Sequence, residues 1–402
     1  MRHAQKPTSR SLMEVFFVFL QLGCTSFGGP TAHIGYFQKE FVERRKWLSA
    51  ETFAELVALS QSLPGPASSQ VGFAVGVLRS GLLGGVAAWI GFTLPSALLM
   101  LAFAFGHEVL KGNGGTALLH GLQLVAVAVV AQAVLAMQRR LAPDILRAFI
   151  AVAASGLVFF APTPVATLFA ILWGSVAGIF LLRRERTSPQ IVAFSVVPVS
   201  RQISIWAISI FAALLCGTLL LRANELTAST LFAGFYRTGA LVFGGGHVVL
   251  PLLDSSTVAK GWIPENIFLS GYGAAQALPG PLFSFAAYVG ATVQPNPKPI
   301  LFGSLALVAI FLPGLLLMTA VLPFWDRIRQ IRSISNALDG VNASVVGILF
   351  AALVRPVWTS TVHSIPDFFI VLSAFIALTL TKIRPWIVVL TVGTLCWLWA
   401  VL

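Results

Sequence analysis

The sequence predicts an all-α polytopic membrane protein: two inverted repeats of about six helical elements each, with broken or re-entrant helices, joined by a linker helix. Three observations carry this. Of 402 residues, 57% are hydrophobic and 10% charged, a composition foreign to water-soluble domains. Apolar runs of about 17 to 25 residues recur along the chain, the length a helix needs to cross ~30 Å of hydrocarbon. Finally, the landmarks of the first half return in the same order in the second.

The repeat is read directly. "SFGGPTAHIGYF" at 26–37 aligns with "VFGGGHVVLPLL" at 242–253. Trp47 pairs with Trp262, Phe53 with Phe268, and "QSLPGP" with "QALPGP". "GFTLPSALLM" at 91–100 matches "AIFLPGLLLM" at 309–318, and "LHGLQ" at 119–123 matches "LDGVN" at 338–342. The apolar elements of the first half are 12–30, 52–78, 80–106, 116–138, 144–160 and 163–182. Those of the second are 228–250, 265–293, 299–325, 335–354, 366–381 and 385–402, and the run 203–222 has no counterpart. The chain therefore divides into an N-terminal tail (1–11), a first repeat (12–186), a linker with the unpaired transmembrane helix (187–227) and a second repeat (228–402).

That odd helix makes the second repeat enter the membrane from the opposite side. Charge agrees: with Arg2, Lys6 and Arg10 in the cytoplasm, the clusters at Arg139, Arg140 and Arg147, at Arg183, Arg184 and Arg186, at Arg327, Arg329 and Arg332, and at Lys382 and Arg384 all fall inside, and the C-terminus falls in the periplasm. "QKEFVERRKW" at 38–47 falls outside if the first two elements cross and inside if both are re-entrant; its four basic residues favour re-entry. The net charge of +12 sits in short connections rather than in a stripe or tail, so it reads as a topology signal and not as a nucleic-acid surface. Cys24, Cys216 and Cys396 lie far apart and suggest neither a disulfide framework nor a metal site.

The breaks point to chemistry. Pro64 and Pro66 each remove a backbone donor and bias the preceding residue away from the helix, so "LPGP" interrupts its element, as does its copy at 278–281. "FGGP" and "FGGG" interrupt the elements before them. Paired interruptions at corresponding places in inverted halves point to a transporter's substrate site. Each new half-helix presents unpaired amides and a positive dipole end, which bind anions. The candidate cradle is Gly28, Gly29, Pro30, Thr31, His33, Gln61, Pro64, Gly65, Pro66, Ser68 and Ser69 from the first half. The second half adds Gly244, Gly245, Gly246, His247, Gln276, Pro279, Gly280, Pro281 and Ser284. Many weak donors suit a tetrahedral oxyanion such as chromate or sulfate.

Arg237 lies about nine residues into its element, ~13 Å deep at 1.5 Å per residue, and is either a substrate contact or a snorkelling anchor. Glu55 is either a carrier of a coupling proton or a helix cap. His107, His120 and His363 read as loop or interface residues. No nucleotide loop, H-E-x-x-H or CxxC pair occurs, which speaks against an ATP-driven pump or a metalloenzyme, and neither cofactor nor metal is called for. An intramembrane lipid-modifying enzyme using His33, His247 or Glu55 is the competing class.

At "FGGP" (27–30), "PGP" (64–66), "FGGG" (243–246) and "PGP" (279–281) the sequence resembles the chromate ion transporter family in its long two-domain form, over nearly the whole chain. The resemblance implies a multi-pass protein of the bacterial inner membrane that exports chromate, confers chromate resistance and is driven by the proton-motive force, with sulfate as the physiological look-alike. Uptake of sulfate or another oxyanion is the alternative. The implied partners are the small oxyanion and the lipid bilayer, with a homodimer allowed.

Overall fold

The computed structural model describes residues 9–106, 112–161, 164–182, 199–221, 225–243, 246–295, 298–328, 331–381 and 383–401, and all regular structure among them is helical. The first half contains α1 (Ser9–Thr25), α2 (Gly29–Phe37, extended by a π-helical turn over Gln38–Arg44), α3 (Ala50–Ser62), α4 (Ala67–Gly106), α5 (Asn113–Leu141), α6 (Ile145–Phe160) and α7 (Pro164–Leu181). The linker helix is α8 (Arg201–Leu220). The second half contains α9 (Ala228–Leu241), α10 (Val249–Thr257), α11 (Glu265–Ala275), α12 (Phe285–Thr292), α13 (Pro299–Val321), the short α14 (Trp325–Ile328), α15 (Arg332–Ala352), α16 (Ile365–Leu380) and α17 (Pro385–Val401).

At the first break the chain turns back. Were α2 to continue the line of α1, Phe41 would lie ~24 Å beyond Thr25. Instead Phe41 packs on Phe19 with centroids 5.0 Å apart, and Arg45 reaches Glu14 at 3.4 Å. The second break does the same. Arg79, at the far end of the arm that leaves "LPGP", pairs with Glu14 at 3.3 Å and sits 5.0 Å over the ring of Trp47, in the connection before α3. Both elements are therefore hairpins, and "QKEFVERRKW" lies on the same side of the bundle as the N-terminal end of α1.

Within α4 the backbone leaves the helical region at Ser80 and Gly81. A Cβ at Gly76 would meet the Gly84 carbonyl at 2.3 Å, a contact that only two antiparallel arms, 67–79 and 82–106, permit. By length and composition alone α4 passes for one span of 40 residues; the turn at Ser80 and Gly81 divides it into two arms, of which 82–106 is the longer. Five helical stretches among the described residues are long and apolar enough to cross a membrane, including α4, α5, α8 and α13.

The second half repeats these turns. Thr238 Oγ1 lies 3.4 Å from the Leu252 carbonyl and 3.3 Å from Ser256 Oγ, folding α10 onto α9. Phe268 packs edge-on against Phe285 at 5.2 Å, and Tyr288 donates to the Ile267 carbonyl at 3.0 Å, folding α12 onto α11. The arm 82–106 and its counterpart α13 run antiparallel, since Leu101 lies at Gly303 near the start of α13 while Trp89 packs on Phe311 further along it.

The halves interlock. α6 and α7 pack on α15, and α16 and α17 pack on α5. Small residues allow both close approaches: a Cβ at Gly174 would lie 2.6 Å from the Gly340 carbonyl, and one at Gly121 would lie 3.2 Å from Gly393, the small-residue packing common between membrane helices. Polar pairs stand at equivalent places, His120 with Asp367 at 2.9 Å and Asp339 with Arg147 at 3.1 Å, with the carboxylate contributed by the other partner. Outside this core the surface is apolar. Trp206 on α8 is 69% exposed and Phe180 on α7 78% exposed, as lipid-facing residues are.

The 38–49 connection is held by Glu40, buried and bonded to Arg45 and to Arg44, the latter at 3.0 Å. Burial pushes its carboxyl up, but the Arg45 and Arg44 hydrogen bonds hold it, on balance, below the usual carboxylate range. A depressed carboxyl stabilises the fold above its unfolded pKa and ceases to do so as pH falls through the folded one. Glu40→Gln should therefore lose ~2 kcal/mol at neutral pH, and the gap from wild type should close in acid. Thermal unfolding of the detergent-solubilised proteins at pH 7 and pH 3 checks both.

Candidate functional site at the hairpin tips

Four hairpin tips meet. The Gly65 amide donates to the Val242 carbonyl at 2.7 Å, and the Gly280 amide donates to the Ser26 carbonyl at 2.9 Å. These are one contact made twice, each "PGP" tip of one half bonding the glycine-rich break of the other. A Cβ at Gly246 would lie 3.4 Å from the Pro30 ring, so the two glycine-rich tips also touch. Glycine is required at both "PGP" centres. Gly65 has φ +122° with Gly314 Cα at 3.0 Å from a built Cβ, and Gly280 has φ +91° with Ser96 Oγ at 2.9 Å.

The first-half tips open into helices. Gly28 caps α2, with Gly29 and Pro30 in its first turn; Thr31 is part of that helix, but its side chain is outside the described residues, as are Gly244 and Gly245. His33 is fully buried, with Nδ1 3.3 Å from Ser68 Oγ and the ring edge-on to Phe92 at 5.2 Å. Pro64 and Pro66 flank Gly65 before α4, whose Ser68 and Ser69 are both buried. Gln70 ties that tip down, donating to the Pro64 carbonyl at 2.9 Å and the Gly314 carbonyl at 3.2 Å. Gln61, one turn before the tip, accepts from Arg140 at 2.7 Å.

The second-half tips are tighter. After each break comes a 3₁₀ turn, Gly246–Val248 and Leu282–Ser284, before the α-helix. His247 Nδ1 is 2.8 Å from the Tyr272 hydroxyl. The Ser284 hydroxyl donates to the Pro281 carbonyl at 2.8 Å, so it caps its own turn. Pro279 and Pro281 flank Gly280, and half-buried Gln276 lies beside the Tyr272 hydroxyl.

Arg237 is half-buried, and its Nε donates to the Ala233 carbonyl of its own helix at 3.2 Å; among the described residues no carboxylate pairs with it. Glu55 accepts from the Trp325 indole at 2.9 Å, which ties α3 to the second half. His107 lies outside the described residues. Among the described residues no group of three His, Cys, Asp or Glu is placed to hold a metal. The sequence reading missed Ser26, Gln70, Thr93, Ser96, Arg140 and Tyr272. The first four carried a signal: each stands opposite an apolar residue or glycine in the other repeat.

Interrupted helices meeting in crosswise pairs within a polytopic helical bundle define the class: a multi-pass membrane protein with broken helices of the kind transporters use. The chain belongs to the chromate transporter family, whose model matches residues 13–179 and 229–397. It is 30% identical over 409 residues to a chromate transport protein of Pseudomonas aeruginosa, covering 98% of this chain and 93% of that one. It is 28% identical to a probable chromate transport protein of Synechococcus elongatus (91% and 90% covered) and 25% identical to a chromate transport protein of Cupriavidus metallidurans (86% and 82% covered). No solved structure matches the chain.

Proposed function

We propose that this protein is a secondary transporter that exports chromate across the bacterial inner membrane, driven by the membrane potential or the proton-motive force, and so confers chromate resistance. The observation that carries the reading is the crosswise meeting of four interrupted helices, joined to a family whose named relatives transport chromate. Unpaired amides at a half-helix start attract an anion, and surrounding neutral donors hold it without trapping it. Direction follows from charge. With the cytoplasm negative, outward movement of a dianion is favoured by roughly 4.6 kcal/mol per 100 mV, twice the single-charge figure.

In this reading the repeats 12–186 and 228–402 are inverted about the tips, with the N-terminus cytoplasmic and the C-terminus periplasmic. Sulfate, of the same shape and charge, is the alternative cargo. The His33–Ser68 pair invites the enzyme reading, but among the described residues no carboxylate hydrogen-bonds the ring, and the nucleophile–base logic lacks its orienting group. Uptake of radiolabelled chromate and sulfate into everted vesicles, with and without a potential, tests the function. Potential-stimulated chromate uptake is expected; sulfate uptake in right-side-out vesicles without chromate movement would overturn it.

Topology has its own test. Gln38 is exposed in the connection beside Glu14. After replacement of the three native cysteines, a cysteine substituted at Gln38 should react only with reagents that enter the cytoplasm. Labelling by an impermeant reagent in intact cells would place this connection outside.

A further inference from the structure

The two crossings match in backbone and differ in chemistry. Around the Ser26–Gly280 crossing stand Ser26, His33, Ser68, Thr93 and Ser96. The repeat places Val242, Val249, Phe283, Phe311 and Gly314 at the equivalent positions around the Val242–Gly65 crossing. Contacts join the polar set: His33 meets both Ser68 and Phe92, the neighbour of Thr93, and Ser96 Oγ bonds the Thr93 carbonyl at 3.0 Å and lies beside Gly280.

Several of these groups are buried yet unused. Ser26 Oγ, Ser69 Oγ and Thr93 Oγ1 have no hydrogen-bond partner, although their residues are at most 2% exposed, and His33 Nε2, whose ring lies by the Ser26 backbone, has no partner at hydrogen-bond geometry. Serine and threonine in apolar helices ordinarily bond the carbonyl a turn earlier, as Thr25, Ser62, Thr238, Thr257 and Thr319 do here. A buried polar group left unmade is costly. Other such atoms lie elsewhere, three of them along α15 at Asn336, Asn342 and Ser344; of these four, Ser26, His33 and Thr93 belong to segments joined at the Ser26–Gly280 crossing, and Ser69 is the chain neighbour of Ser68, which meets His33. If the Ser68 hydroxyl donates to Nδ1, His33 carries its proton on Nε2 and is a donor there. Ser284, which the repeat places opposite Ser69 on the second-half tip, is by contrast already committed to the Pro281 carbonyl.

Resting on the oxyanion reading above, we propose that the anion is bound at one crossing only, that of Ser26 and Gly280. Ser26, His33, Ser69 and Thr93 are its side-chain donors, and the valine- and phenylalanine-lined crossing serves as scaffold. The site then consists of neutral donors contributed almost wholly by the first repeat. It is a one-sided site within a two-sided backbone.

Paired substitutions test this by chromate uptake against concentration in everted vesicles, normalised to membrane abundance. Ser69→Ala and Thr93→Val should each raise the half-saturating concentration at least tenfold, whereas Ser284→Ala, at the position equivalent to Ser69, should change it less than twofold. For any variant that inserts poorly, the rise in unfolding temperature of purified protein on adding chromate replaces uptake; it should vanish for Ser69→Ala and Thr93→Val and persist for Ser284→Ala. Equal effects at Ser69 and Ser284, or wild-type behaviour of both first-repeat variants, overturn the one-sided site alone. No saturable uptake of chromate or sulfate by the wild type overturns the transport reading and this proposal with it.

Discussion

Replacing Pro64 and Pro66 together by alanine abolishes chromate uptake while leaving the protein in the membrane at wild-type abundance. The two prolines hold open a break in which Leu63 is extended and Gly65 has φ +122°. They also leave the first amides of α4 free beside Ser68 and Ser69. Alanine restores two donors and lifts the restriction on the preceding residues, so the chain can wind helix across the tip. The hydrogen bond from Gly65 to Val242 and the anchoring of the Pro64 carbonyl by Gln70 are then lost. Insertion survives because the lipid-facing residues and the glycine contacts between α7 and α15 are untouched. Uptake assayed beside immunoblots of membrane fractions decides it, and normal transport by the double variant would remove the half-helix account.

What could be read from the sequence was what acts locally. Proline and glycine break helices wherever they stand, so "LPGP" and "FGGP" announced the interruptions, and their repetition announced two halves. Which way the chain leaves a break is not local. It is decided by Phe19 against Phe41 and Glu14 against Arg45 and Arg79, contacts across tens of residues, and so re-entry could only be favoured, from four basic residues. The interlock was hidden for the same reason, since Gly174, Gly178 and Gly340 are visible as small residues but their pairing is not. The symmetric cradle expected from the motifs treated both "PGP" copies alike. Thr93 opposite Phe311 and His33 opposite Val249 are differences between the copies, and motif matching passes over differences.

Arg237→Gln removes nearly all transport without harming insertion. The residue stands on α9, leading into the Val242 tip, where Gln21 occupies the equivalent place in α1. Its guanidinium is half-buried, bonds only a carbonyl of its own helix, and has no carboxylate partner among the described residues. A charge so placed is expensive to keep. Its effect on an anion does not require contact: at an effective dielectric near 20, one positive charge ~10 Å from a dianion contributes ~3 kcal/mol, about two orders of magnitude in affinity. Glutamine has already been accepted at the equivalent position of the same fold, so the loss is electrostatic rather than structural. Arg237→Lys keeps the charge but carries it on a more strongly hydrated ammonium that reaches a different place, so the field at the anion is weakened rather than lost. It should therefore retain part of the transport, with a raised half-saturating concentration. Chromate uptake against concentration for both variants, normalised to membrane abundance, separates the cases. An unchanged rate and half-saturation for Arg237→Gln would make the residue an anchor only and leave the anion to the neutral donors of the first repeat.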